Sequence, residues 1–492
     1  MLFNSLAYAK FFATVFIASW LLSSRPRARF ALLVCASYVF YCGIDLFAPL
    51  SGLPLTAPYL KFAPIVFVGS TVDFWLGRWM ASHDDPVARK RALVITIVMN
   101  VGLLVVFKYW NWLTGDLGAL LRAGGIPFPD VTMKLDLPLG ISFFTFMSLS
   151  YVIDVYRRKI EPSKNYLHYL TYIAFFPHLV AGPIVRGKDL LPLFEKAPRL
   201  TSRTAGEALF LIGTGIGKKV IIGDFLALNL VDRVHAEPTS YSSIEVLCAM
   251  YAYAVQVYCD FSGYSDVAIG SALLLGYRFK INFDQPFKST NIVEFWRRWH
   301  ISLSSWLRDY VYFPLGGSQK GNFRKYLNVW ITMVVCGIWH GAAWTYVIFG
   351  VIQGFAVAGT HWFRDATGRS ARNDAEELPP WHPGRWVGTF LTFTFAAVTF
   401  ALFRAESSQK AILLYKQLLQ GTTFHPNLPR SVVLILFGAI FVQWLPRRWT
   451  DKVRDGFIAA PSFAQAAVLF AVALALREAA VTEAVPFVYF QF

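Results

Sequence analysis

Residues 92–113 read ALVITIVMNVGLLVVFKYWNWL, directly after Arg89-Lys90-Arg91. As a helix rising about 1.5 Å per residue, this stretch crosses a hydrocarbon core of about 30 Å. Comparable apolar runs stand near 6–22, 30–48, 58–80 and 138–156. More follow near 206–230, 243–275, 326–341, 343–363, 386–404, 431–446 and 462–476. Lys218, Lys219 and Asp224 interrupt the 206–230 run. The sum is about twelve spans, each a helix because lipid offers the backbone no hydrogen-bond partner.

Composition agrees with that reading. Of 492 residues, 55% are hydrophobic and only 15% charged, against about 25% charged in soluble domains. Disorder is excluded by the hydrophobicity, and a collagen-like chain by the lack of a three-residue glycine period. The expected architecture is all-α: one polytopic membrane domain over 1–492. Its parts are amino-terminal spans (1–160), a middle section with the candidate site (161–380) and carboxyl-terminal spans (381–492). The five Cys form no CxxC pair, so they read as small core residues. The apolar Met1 to Trp20 stretch lacks a basic n-region and a small-residue cleavage site, and reads as a retained first span.

The net charge of +16 is explained by basic loops on one side of the membrane. Arg25, Arg27 and Arg29 follow the first run, Arg89 to Arg91 the third, and Arg157 to Lys159 the fifth. Basic residues on alternate loops place the amino terminus outside, and such loops also meet anionic lipid headgroups. No basic stripe interleaved with exposed aromatics stands outside the apolar runs, so nucleic acid is not an expected partner.

Two segments break the pattern. Residues 166–186 are flanked by basic residues on both sides and contain Pro177, His178, Gly182 and Pro183. A re-entrant segment fits, because proline interrupts a helix and irregular backbone survives in a membrane only under cover. Residues 290–312 read TNIVEFWRRWHISLSSWLRDYVY. Phe295, Trp299, Leu303, Trp306 and Tyr310 repeat at helical steps, with Arg297, His300, Ser304 and Arg308 on the other side. One amphipathic helix at the cytoplasmic interface is expected here, capped by Asn291.

Ionisable residues at membrane depth are functional candidates. His340 lies in Cys336-Gly337-Ile338-Trp339-His340-Gly341-Ala342-Ala343-Trp344. A neutral imidazole there accepts a proton, as a general base must. The other reading is a histidine hydrogen-bonded to a neighbouring helix. His300 stands as a second general-base candidate or as a plain interfacial residue. Asp260 and Asp266 either orient a histidine or anchor backbone. His178 either serves a site or caps a broken helix. Arg297 and Arg298 match phosphate geometry, or headgroups equally. Gly213, Gly215 and Gly217 suit close helix packing. No HExxH, GxSxG, P-loop or zinc spacing occurs, and no metal is expected.

At these residues the chain resembles the membrane-bound O-acyltransferase family, and within it the alginate O-acetyltransferase branch. The matching strings are Ser70 to Phe74, Leu137 to Phe144, Tyr151 to Arg157, Phe176 to Ile184, Asp260 to Asp266, Glu294 to Ser304, Trp339 to Ala342 and Phe487 to Phe492. Where relatives usually carry Gln, this chain has Met147. The resemblance implies about eleven spans with re-entrant and interfacial helices, in a bacterial inner membrane. It implies transfer of an acyl group from a cytoplasmic thioester, acetyl-coenzyme A or another, to an extracytoplasmic hydroxyl. It makes His340 and His300 the catalytic candidates. Arg297, Arg298, Trp339, Asp260, Asp266 and His178 become candidates for holding donor or substrate. The implied partners are the acyl thioester, a polysaccharide acceptor, membrane lipid and an exported esterase-like protein, with no bound cofactor. The competing classes are a transporter or flippase, for which two matching halves are missing, and a non-catalytic export scaffold.

Overall fold

The structure is a computed structural model and describes residues 2–51, 53–180, 182–368 and 382–479. The Phe487 to Phe492 string and most of the polar 364–385 loop lie outside the described residues. The described residues are helical, without a strand. In chain order the helices used below are α1 (Leu6–Leu21), α2 (Pro26–Tyr41), α3 (Ala63–Ser82), α4 (Pro86–Ala123), α5 (Ile141–Tyr156) and α6 (Tyr166–Ala174). Next come α7 (Gly187–Phe194), α8 (Ser202–Gly217), α9 (Ser243–Leu274), α10 (Ile292–Arg298), α11 (Ile301–Leu307) and α12 (Asn322–His340). The last are α13 (Trp344–Thr367), α14 (Pro383–Arg404), α15 (Ser408–Leu418), α16 (Arg430–Trp444), α17 (Arg447–Ala459) and α18 (Ser462–Ala479).

Each of the twelve apolar runs overlaps a helix, although the 30–48 run is α-helical only to Tyr41. Five of the described helices pass on length and apolarity together: Leu60–Ser82, α4, α9, α13 and α14. The pair α16 and α17, bent by 93°, makes a sixth if it counts as one span. Helices α1 and α5 are apolar but short, at 16 residues each. The difference from twelve has a physical reason. Helices α1 and α5 fall short on length alone, and the helix that follows α8 carries Lys218, Lys219 and Asp224.

The chain divides into two units. The first comprises Met1–Ile212 and Val267–Lys280. Its core is α5, with 14 of 16 residues buried. Asn100 of α4 donates to Asp73 of α3 at 3.0 Å, both side chains buried. Arg29 is not a loop charge: it is 1% exposed and donates to Ser19, to the Tyr277 hydroxyl and to the Leu275 carbonyl. The 166–186 segment is broken as expected. Helix α6 ends at Phe175 (φ −56°, ψ 111°), one short turn follows, and α7 begins at Gly187. Gly140, at φ +69°, approaches this break so closely that a Cβ would stand 2.5 Å from the Leu179 carbonyl oxygen.

The second unit comprises Gly213–Asp266 and Ile281–Phe492. Its centre is the hairpin of α12 and α13. A Cβ on Gly350 would stand 2.7 Å from the Met333 carbonyl oxygen, so small residues let the two backbones touch. The glycine pattern before Lys218 serves packing as well: Gly263 of α9 lies against the Gly215 carbonyl.

Candidate active site

His340 is the last residue of α12. The helix stops there because Gly341 turns extended and lies against the ring of Tyr346, where a side chain has no room. His340 is 4% exposed. Its ring centroid stands 4.9 Å from Trp339 and 5.0 Å from Phe403. With Tyr253, Val257, Trp296, Trp299, Phe349, Phe400 and Phe403 it lines a cavity of about 20 Å³, room for about one water-sized group. The Trp296 indole donates to Gln353 (3.1 Å), and Gln353 donates to Thr399 (2.8 Å), which fixes that wall.

The single interfacial helix expected over 290–312 is instead two helices. Asn291 caps α10 as expected, accepting from the Glu294 N–H at 3.0 Å. The chain then breaks at His300, which adopts φ +43°, ψ 55° before α11. Histidine is one of the residues that tolerates this left-handed region. The break overturns the placement of His300 on the polar face: it is 0% exposed. A straight helix would keep it beside Arg297, whereas one left-handed residue rotates the imidazole inward. Its ring meets Phe261 edge-on at 4.6 Å and lies 6.0 Å from Trp339. Trp339 therefore touches both imidazoles.

Backbone bonds flank the break on both sides. The Asp284 N–H donates to the Arg298 carbonyl (2.9 Å), and the Ile301 N–H donates to the Asn282 carbonyl (2.9 Å). The Asn282 side chain accepts from the Ser302 N–H and hydroxyl and donates to Ser265 of α9. Sequence reasoning missed Asn282. Its one signal was its place in a stretch that is neither span nor simple loop.

Asp260 and Asp266 each pair with a lysine. Asp260 pairs with Lys219 at 2.7 Å, and Lys219 also pairs with Asp224 at 2.7 Å. Asp266 pairs with Lys218 at 2.6 Å. The charges that interrupt the 206–230 run are thus matched by carboxylates on α9 and within the run itself. Beyond Gly217 the helix widens to a π-helix over Lys218–Asp224.

Arg298 is bound by Glu294 (2.9 Å) and by the Asp284 carbonyl (3.3 Å), while Arg297 is exposed. Beside them Lys288 donates to Gln285 (2.8 Å) and to the Leu445 carbonyl (2.5 Å). Burial, then the guanidinium groups of Arg298 and Arg385, and also Arg447, lower the pKa of Lys288 against the pull of Asp284. His178 belongs to the first unit and not to this constellation. It is 0% exposed, bonded through Nε2 to the Tyr172 carbonyl (2.9 Å) and stacked on Phe279. Among the described residues no three His, Cys, Asp or Glu side chains converge as a metal site.

The family model described as MBOAT, membrane-bound O-acyltransferase family, matches residues 36–401. The chain belongs to the membrane-bound O-acyltransferase family. As a member it is a membrane-integral enzyme that transfers acyl groups. It is similar to the probable alginate O-acetylase AlgI of Pseudomonas aeruginosa, 38% identical over 428 residues, 86% of this chain and 76% of that protein. It is similar to the peptidoglycan O-acetyltransferase of Helicobacter pylori, 32% identical over 384 residues, 73% and 70% of the two chains. It is also similar to the teichoic acid D-alanyltransferase of Streptococcus thermophilus, 29% identical over 281 residues, 54% and 68%. The strings Trp339 to Ala342, Glu294 to Ser304 and Asp260 to Asp266 all lie within the matched residues and in the second unit. There they supply His340, His300 and the α9 anchor.

Proposed function

We propose that this acyltransferase takes an acetyl group from a cytoplasmic thioester and delivers it to a hydroxyl of an extracytoplasmic polysaccharide. The observation that carries this reading is His340, buried at the end of α12 on the wall of a small aromatic cavity. His340 is the general base. It takes the proton of the acceptor hydroxyl as that oxygen attacks the thioester carbonyl, a contribution of about 10²–10⁴ in rate. The carbonyl ends at a helix C-terminus favour the positive charge that forms on the ring. Collapse of the tetrahedral adduct breaks the C–S bond, and the thiolate leaves with the proton His340 returns. His300, across Trp339, is the second catalytic candidate. The apolar walls keep out water, which would hydrolyse the thioester.

The donor is acetyl-coenzyme A or a carrier-bound thioester, and no resident cofactor takes part. Its phosphates meet the basic group of Arg297, Arg298 and Lys288, on the side that the charge pattern makes cytoplasmic. Trp339 walls the acyl site. Asp260 and Asp266 act at one remove, by pairing α9 with Lys219 and Lys218. His178 braces the re-entrant segment. The amino terminus lies outside a bacterial inner membrane. An exported esterase-like protein completes delivery, and the names of relatives acting on alginate and peptidoglycan favour a polysaccharide acceptor. The test is transfer of labelled acetyl from acetyl-coenzyme A by the purified protein in lipid, with the partner supplied. Wild type transfers, and His340→Ala at equal folded amount does not. Equal transfer by both removes His340 from the chemistry.

A further inference from the structure

Tyr253 of α9 lines the same cavity as His340. It is 0% exposed, and its hydroxyl has no hydrogen-bond partner among the described residues. Its ring packs at 5.7 Å from His235, whose Nδ1 is held at 2.9 Å from the Val231 carbonyl. The Trp296 indole N–H, which lines the same cavity, is already engaged by Gln353. A phenol left unpaired among aromatic rings costs stability that a phenylalanine would not. Each such exception calls for an explanation, and a role in the chemistry of the site is one.

We propose that Tyr253 is a further catalytic residue, whose hydroxyl donates a hydrogen bond to the thioester carbonyl oxygen at His340. The inference rests on the reading of His340 as general base. In the step, the acceptor oxygen forms a bond to the carbonyl carbon and its proton passes to His340. The carbonyl π pair moves onto oxygen, and the Tyr253 O–H holds that oxyanion without giving up its proton. When the pair returns, the C–S bond breaks and the sulfur leaves with its electrons. A donor held on a helix beside a water-poor cavity meets the developing charge with little reorganisation. Base and donor lining one cavity divide the two tasks of acyl transfer.

The test compares wild type, Tyr253→Phe and His340→Ala in lipid nanodiscs. Radiolabelled acetyl-coenzyme A is the donor and an alginate oligosaccharide the acceptor. For Tyr253→Phe, kcat falls about 10²–10³-fold while the donor KM stays the same, because the bond strengthens only in the transition state. Its melting temperature does not fall, since Phe removes an unpaired hydroxyl and keeps the ring. Unchanged kcat overturns the inference, as does a lower kcat that tracks a lower melting temperature. If Tyr253→Phe does not fold, 3-fluorotyrosine at position 253 decides. Its more acidic phenol moves the alkaline limb of kcat to lower pH, and an unmoved limb overturns the inference. Failure is separable from that of the underlying reading. An active wild type, a dead His340→Ala and a full-rate Tyr253→Phe remove Tyr253 alone, whereas an inactive wild type removes both.

Discussion

The Ser302 N–H and hydroxyl both donate to the Asn282 side-chain oxygen, at 3.2 and 2.8 Å. Asn282 is 1% exposed, and its amide donates in turn to Ser265. These bonds sit two residues beyond His300 and hold the left-handed turn that aims it inward. Asn282→Ala leaves the imidazole in place chemically but frees its backbone. Catalysis falls about 10²-fold, as a misplacement of about 1 Å does. Stability falls about 1–3 kcal/mol from the buried groups left unpaired. Acetyl transfer and thermal melting in detergent measure the two effects. Asn282→Asp, which keeps the acceptor oxygen, recovers part of the activity.

The Lys219 ammonium lies between two carboxylates, Asp224 and Asp260, with all three side chains at most 13% exposed. Removing one member strands charge in a low-dielectric interior. Lys219→Met costs about 3–5 kcal/mol, read as lost monodisperse protein and a lower melting temperature. Adding Asp260→Asn to that variant restores part of the loss. A double variant no more stable than the single one would show that Asp260 gains nothing from the pairing.

Gly341 ends α12 beneath the Tyr346 ring. Gly341→Ala forces that ring or the turn to move, a cost of about 1–3 kcal/mol by overpacking. Because His340 is the neighbouring residue, activity falls further than folded amount. Specific activity per folded protein, from size exclusion and transfer assay together, separates the two.

Lys288 stands among Arg298, Arg385 and Arg447, and burial with those charges lowers its pKa. Its ammonium therefore loses its proton at a lower pH than an ordinary lysine. Donor affinity that uses this charge weakens as pH rises through that lowered value, and is fully present below it. Lys288→Arg keeps its charge and removes that alkaline rise in KM for acetyl-coenzyme A. Lys288→Met raises KM below that value, converges with wild type above it, and leaves kcat nearly unchanged.

Much of the fold was legible because hydropathy acts locally. The runs near 92–113, 343–363 and 386–404 lie within helices α4, α13 and α14, and the proline-bearing 166–186 stretch is broken where its residues demand it. The end of one helix at His340 was legible from the glycine after it. The 290–312 segment was misread for a physical reason. Helical periodicity assumes a constant 100° step, and one residue at φ +43° resets the phase. Nothing in the spacing of Phe295, Trp299 and Leu303 marks that reset.

By itself, then, the sequence determined that the chain is a bundle of apolar helices, which segment breaks, and that His340 is a rare ionisable group among them. These follow from transfer free energies and backbone constraints within a few residues. The tertiary structure alone decided that His300 turns inward to meet Trp339 and that Lys219 is the partner of Asp260. It alone put Tyr253 in the cavity with His340. Those pairs stand 39, 41 and 87 positions apart in the chain, and only the packing of helices, set by shape and by close glycine contacts, brings them together.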